Sequence, residues 1–463
     1  MKAKRLFNYI GAGLLALSSV SLLACTEIED GYNDIDSWPD VTDYSSKIQH
    51  PCMLHTDADF EFVKSKIDAG EQPWKNAFVH LEQNSHAQAG QVASPVKLLA
   101  RLDQNNWQST YPDDWSNYTK LMRDAASAYQ LALRWRLSGD DEYAATAVNM
   151  LNAWAATCTG FIVNSNGEFI DPNEFLILIQ VYQLANAAEI LRSYEGWKEA
   201  DFTTYKNWMV DVFYPHATKF LSLHNGYVDC PLHYWLNWDL AAMNAILSIG
   251  ILTDDSFKIN EAIQYFKFGV GSGNIGNAVP FVHQDPDSSE LLGQCQESGR
   301  DQGHATLCVS LMGVFCQMAK NIGEDLFIFD NNRALAMCEY VAKYNYGETE
   351  EASGGSWKMI NFKYDVTSLP YTAYENCTGD SWPSISYQEH KEGKETRGEV
   401  RPAWELVKRL ASDYGQSSIY ADMWVSKMRE NVSRGYSDGM AGDYGPNSGG
   451  YDQLGCGTLM FAR

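Results

Sequence analysis

Residues 297–304, Glu-Ser-Gly-Arg-Asp-Gln-Gly-His, run straight into residues 305–319, ATLCVSLMGVFCQMA. The second stretch is apolar around its whole circumference and reads as a buried helix, with Leu307, Leu311 and Phe315 extending the stripe that starts at Arg300 and His304. Ser298 is expected as the N-cap, with Asp301 three residues on as its capping-box partner. A helix N-terminus with free N–H groups, an arginine and a histidine suits a carboxylate ligand. The same residues also suit a plain Arg–carboxylate pair beside a core histidine.

On either side of this stretch the 3.6-residue period recurs. It covers 118–138, 142–156, 174–193, 200–222, 237–249, 257–268, 324–344 and 402–412, with the quoted helix at 301–320. Gly, Asp, Asn and Pro punctuate the connections, and runs of alternating polarity are scarce. Successive hairpins with apolar residues on both sides of many helices predict an all-α fold, an (α/α) toroid or incomplete barrel of two concentric layers. A solenoid of helical repeats is the competing topology, but no fixed sequence period supports it. Residues 347–400 break the pattern: they are polar and aromatic, with Trp357, Tyr364, Tyr371, Tyr374 and Trp382. So long an insertion reads as a cleft wall or lid with a few short strands. The glycine-rich tail from Arg434 ends in Leu459-Met460-Phe461, as a docked terminal strand or turn would. Residues 49–463 are thus expected to form a single toroid domain.

The N-terminal residues speak of location. Lys2, Lys4 and Arg5 precede an apolar core from Ile10 to Leu23, so residues 1–24 have the makeup of an export signal. That segment ends Leu22-Leu23-Ala24-Cys25, which resembles a bacterial lipobox and marks Cys25 for lipidation. The acidic residues that follow, Thr-Glu-Ile-Glu-Asp, begin a flexible tether over 25–48 and resemble the surface-export signal of Bacteroidetes lipoproteins. The expectation is a protein lipid-anchored to the outer membrane at the cell surface, or alternatively on its periplasmic face. No later run of 18 consecutive apolar residues occurs.

Composition narrows the partners. A net charge of −24 gives no basic stripe for a nucleic-acid backbone. Any polyanionic ligand must then be met by local Arg, Lys and Asn. Fourteen Trp and 26 Tyr supply rings both for core packing and for stacking on sugar faces. Ten cysteines include Cys25; Cys308, Cys316 and Cys338 sit in apolar helical patterns, where reduced core thiols are ordinary, and one or two disulfides are possible.

Several blocks resemble one known family. His50-Pro51 with Leu54-His-Thr-Asp-Ala-Asp59 and Gly70-Glu-Gln-Pro-Trp74 are similar to the opening of the alginate lyases, helical-toroid polysaccharide lyases. Leu151-Asn-Ala-Trp154, Glu297 to His304, Glu339-Tyr-Val-Ala-Lys-Tyr-Asn345, Arg401-Pro-Ala-Trp-Glu405 and Gly455-Cys-Gly-Thr-Leu459 continue the likeness in order. The resemblance implies an (α/α) toroid and β-elimination on an anionic uronic-acid polymer, without fixing which uronate.

Cleaving a 4-linked uronate this way requires neutralising the C6 carboxylate, removing the C5 proton and protonating the leaving O4. Arg300 is the candidate for the first task, since a guanidinium grips a carboxylate in a fork. His304 is the candidate base. In relatives an Asn followed by His shares these tasks; here Asn237 matches the Asn, but Trp238 stands where the His would be, so His233 competes with His304. The relatives' tyrosine lies seven positions after the arginine, where this chain has Leu307. Tyr234, beside Asn237, is then the first choice for the acid, with Tyr371 and Tyr374 as alternatives. Asn237 also suits plain N-capping of its helix, and Trp238 either core packing or a sugar platform. Trp238, His233, Gln302, Glu297 and Tyr371 complete the expected substrate contacts, Glu297 and Asp301 also orienting Arg300 and His304. With no C-x-x-C, H-E-x-x-H, Walker A or Rossmann pattern, no metal or cofactor is expected.

Two other readings fit the toroid. An inverting glycoside hydrolase would need two carboxylates roughly 6.5–9.5 Å apart, for which Glu297, Asp301 and Asp239 stand available. A non-catalytic glycan-binding lipoprotein would use the aromatics alone.

Overall fold

The computed structural model describes residues 38–103, 116–349, 362–364, 369–392, 397–398, 401–443 and 448–463. The expected export signal, Cys25, much of the tether and Trp357 lie outside the described residues.

Helices follow one another in pairs whose ends are written in the sequence. Thr56 and Asp59 form a reciprocal capping box at the start of α1 (Asp57–Asp68), and α2 (Trp74–Gln83) returns against it. Gly139, at φ 78°, ends α3 (Tyr118–Ser138) in the left-handed conformation that glycine adopts without strain. Asp140 then caps α4 (Asp141–Thr157) by accepting from the Glu142 N–H. The expected helix at 174–193 begins as a 3₁₀ segment, Pro172–Leu178, before α5 (Ile179–Leu191). The expected helix at 200–222 is two: α6 (Glu199–Val212) stops and Pro215 opens α7 (Tyr214–Leu223), because proline has no N–H for the preceding turn. After α8 (Leu236–Leu252) and α9 (Ser256–Phe268), the short α10 (Ile275–Ala278) leads into an antiparallel hairpin of Phe281–Gln284 and Leu291–Gln294. Next come α11 (Gln302–Asn321) and α12 (Phe329–Asn345), the latter broken in its first turn by left-handed Asp330, Asn331 and Asn332.

The 347–400 insertion carries two small hairpins, Gly347–Thr349 with Phe362–Tyr364 and Tyr374–Glu375 with Ser381–Trp382, and the single turn α13 (Tyr387–Glu392). Helices α14 (Trp404–Asp413) and α15 (Ile419–Ser433) complete the pairs, and the tail adds the short α16 (Ser448–Tyr451) and α17 (Gly457–Met460). The longer helices α1, α2 and α15 and the short α10, α13, α16 and α17 were not anticipated. The signal in α15 was present, since Tyr420, Trp424, Met428 and Val432 recur at four-residue spacing and are buried.

Packing closes the inner layer into a ring. Helix α3 packs on α5, α5 on α8, α8 on α11, α11 on α14, α14 on α17, and α17 on α1 and α2, which return to α3. Helices α4, α6, α7, α9, α12 and α15 lie outside them. An inner helix is covered on all sides, so every residue of α5 is buried and, in α8, every residue but Trp238. By length and composition Pro172–Leu191 could cross a membrane, but 94% of its apolar 18-residue window is buried inside the toroid.

Polar side chains on the inner face hold the tail. Gln180 and Gln183 donate to the Tyr451 carbonyl at 3.1 and 2.9 Å, Gln130 to that of Ala441 at 3.2 Å, and Ser310 to Gln453 Oε1 at 2.7 Å. The expected docked terminus is therefore a plug within the ring, closed by a bridge between Met440 and Gly455.

Candidate active site

A cavity of about 210 Å³ opens where α5, the N-terminal turns of α8 and α11, the segment leading into α14 and the tail converge. Asn237, His304, Asp301, Arg401, Arg101 and Asp452 supply its polar lining, and Leu176, Ile179 and Leu307 its apolar floor.

Asn237 is the second residue of α8, whose N-cap is Trp235 with no side-chain capping bond, so Asn237 does not cap the helix. It is 3% exposed, and its Oδ1 has no hydrogen-bond partner among the described residues. A buried amide oxygen left unpaired costs stability and is ready to accept from a ligand hydroxyl, while the Nδ2 of the same side chain is the donor available to a carboxylate.

His304 owes its orientation to the N-cap of α11. The structure places that cap at Asp301, not Ser298, whose hydroxyl instead accepts the Cys295 N–H at 3.1 Å. Asp301 Oδ1 accepts the His304 backbone N–H at 2.9 Å, and both carboxylate oxygens lie 2.7–2.8 Å from His304 Nδ1. A carboxylate only accepts, so Nδ1 carries the hydrogen and Nε2 is the nitrogen free to take a proton. Burial alone would raise the Asp301 carboxyl, but the hydrogen bonds from His304 and the charges of His304 and Arg300 bring it down to about 2.

Asp285 behaves alike: burial raises it, and Lys343, Ser288 and Tyr420 bring it down to about 2. A carboxylate depressed below its ordinary value stabilises the fold above that ordinary value and loses the contribution as pH falls through the depressed one. Stability should therefore hold down to about pH 4 and drop steeply toward pH 2, with Asp301→Asn and Asp285→Asn each flattening the drop in thermal melts.

The structure does not bring Arg300 into the cavity. Helix α11 starts only at Gln302, so Arg300 lies on the preceding turn and does not share a stripe with His304. Its Nη1 is 3.3 Å from Glu297 Oε2 and its Nε 3.7 Å from Asp301 Oδ2. Guanidiniums at the cavity come instead from Arg401 and Arg101. Arg401 is held by Asp452 at 2.9 Å and by the Gly303 carbonyl at 3.2 Å; Arg101 lies over the Tyr118 ring at 4.7 Å. The Arg401-Pro-Ala-Trp-Glu405 block carried this signal, but nothing in the sequence linked it to Asn237.

Other expected contacts fall elsewhere. Glu297 is fully buried and paired to Arg300, which removes it from substrate. Gln302, also buried, donates to the Ser298 carbonyl at 3.1 Å and accepts from Asn345 at 2.8 Å. Tyr371 donates to the Trp382 carbonyl at 2.8 Å and packs so closely on Gly299 that a Cβ there would lie 2.1 Å from its oxygen.

Tyr234, His233 and Trp238 gather at the start of α8 as an aromatic group that does not line the cavity. The Tyr234 ring lies 4.8 Å from Trp238 and 5.3 Å from Phe220, and His233 stacks on Tyr227 at 3.6 Å. Trp235 extends the group to Trp382 at 4.9 Å and Tyr374 at 5.8 Å. A disulfide, Cys230–Cys377, ties the loop before α8 to the insertion. Reducing it, or the change Cys230→Ser, should lower turnover about 10-fold through loosened positioning while far-ultraviolet circular dichroism stays unchanged.

Of the carboxylates a hydrolase would need, Glu297 and Asp239 are sealed inside. Asp239 accepts from Tyr265 at 2.6 Å and the Gly273 N–H at 2.7 Å, and burial raises its pKa.

The family model described as alginate lyase matches residues 63–352, and the chain belongs to the alginate lyase family. It is a polysaccharide lyase. Its fold is similar to that of an alginate lyase from Bacteroides ovatus, with a TM-score of 0.52 and 14% identity over 81% of this chain and 95% of that one. Alginate lyase A1-III from Sphingomonas species A1 aligns over 65% of this chain and 81% of its own, at 13% identity and a TM-score of 0.47. No curated protein matches the chain.

Proposed function

We propose that this lyase cleaves a 4-linked uronic-acid polymer, alginate or a related polyuronate, by β-elimination in the cavity between α8 and α11. The observation that carries the reading is the meeting of Asn237 and His304, from different helices, in one cavity where Asp301 fixes the imidazole tautomer. Asn237, with Arg401 and Arg101 nearby, hydrogen-bonds the C6 carboxylate and stabilises the enolate-like charge that forms as the C5 proton leaves. His304 Nε2 takes that proton. The C4–O4 bond then breaks, a C4–C5 double bond forms, and the imidazolium returns the proton to O4. Tyr234, packed in the aromatic group, is not needed for this step.

A panel of purified polyuronates tests the reading. Each cleavage leaves an unsaturated, conjugated uronate that absorbs in the ultraviolet, and its appearance on at least one polymer is the expected result. Reducing ends without that absorbance would overturn it in favour of hydrolysis, and binding without either product in favour of a glycan-binding protein.

The lipobox at Cys25 supports a second part of the proposal, that the enzyme is exported and lipid-anchored to the outer membrane, facing its polymer at the cell surface. Cys25→Ala should move it from the membrane to the soluble fraction on cell fractionation; retention in the membrane would refute the anchor.

A further inference from the structure

His50, Cys52 and Glu189 are not among the residues that line the cavity, and they converge on one point. His50 Nδ1 is 2.6 Å from Glu189 Oε1, and Cys52 Sγ is 3.9 Å from each of them. Within such a triangle one ion fits about 2.0–2.1 Å from the nitrogen and oxygen and about 2.3 Å from the sulfur once the nitrogen and oxygen part slightly, the bond lengths zinc makes. Cys52 and Glu189 are buried, whereas His50 borders a surface hollow of about 680 Å³. We propose that these three side chains form a site for a zinc-like divalent cation, which staples the N-terminal segment to α5.

The surroundings are those of ligands held in place. His50 Nε2 is 2.8 Å from Asp254 Oδ1, a carboxylate behind the imidazole, which directs the Nδ1 lone pair inward. Glu189 Oε2 accepts from Arg192 Nε at 3.0 Å, and its Oε1 from the Cys52 N–H at 3.0 Å, so the carboxylate is fixed from two sides. The Cys52 sulfur faces both of the other ligand atoms, so a cation among the three would be met by all of them. One thiolate, one imidazole and one carboxylate favour zinc or cobalt over magnesium or calcium, and the hollow beside His50 leaves a fourth position for water. Binding displaces the thiol proton and the proton shared by His50 and Glu189, which pass to solvent.

The test uses the purified full chain, stripped with chelator and titrated with zinc chloride or cobalt chloride. Wild type should take up one zinc tightly, melt several degrees higher with it, and give a cobalt–thiolate charge-transfer band. Cys52→Ala should lose the band and the melting shift while keeping turnover on its polymer. Wild-type protein with no band and no shift would overturn the proposal whatever the variant does. So would a band that survives in Cys52→Ala, which would place the thiolate elsewhere.

Discussion

His304→Asn is expected to lower turnover by about 10²–10⁴-fold, the range for losing a positioned proton-transfer group. The side chain is about a third exposed at the cavity, so the fold should keep its melting temperature. Asp301→Asn is the more diagnostic partner. Asparagine caps helices as well as aspartate, so α11 should stay intact. Its amide, however, can donate to Nδ1 and favour the tautomer with hydrogen on Nε2, which cannot accept the C5 proton. A large fall in kcat with little change in KM, together with an altered pH–rate profile, is the expected signature. Full activity in Asp301→Asn would leave His304 without its orienting group and shift the base elsewhere.

The second large effect is expected at Asn237. Replacing it with leucine removes the donor to the substrate carboxylate and should cost about 10²–10³-fold in kcat. The same change removes a buried oxygen that has no partner among the described residues, so the melting temperature should hold or rise. Activity and stability moving in opposite directions is what separates a site residue from a structural one. Equal losses in both would assign Asn237 to packing.

The helices were largely legible because their signals are local. Gly139-Asp140 ends one helix and opens the next, and the apolar run of α11 needs cover on every side. What misled was also local: Pro215 divides a helix that the apolar period alone would run through, and Ser298 has the chemistry of a cap while its hydroxyl serves Cys295. At the site, Asn237 and His304 stood out by residue type and helix position. Arg401 did not, because its place at the cavity depends on Asp452 in the tail and Gly303 in α11. Arg300 lies off the cavity lining for a related reason. The buried Glu297 that takes up its charge lies three residues away, and sequence cannot say which of two neighbouring carboxylates turns inward.

The Cys230–Cys377 bridge joins residues 147 positions apart, across the two elements that frame the aromatic group beside the cavity. Thiols of the cytoplasm are kept reduced, so a chain still there would have that frame unlatched. Only passage into an oxidising compartment closes it. Under the export proposed above, the latch closes only after the chain leaves the cytoplasm, and protein made and kept in a reducing cytoplasm should carry it open.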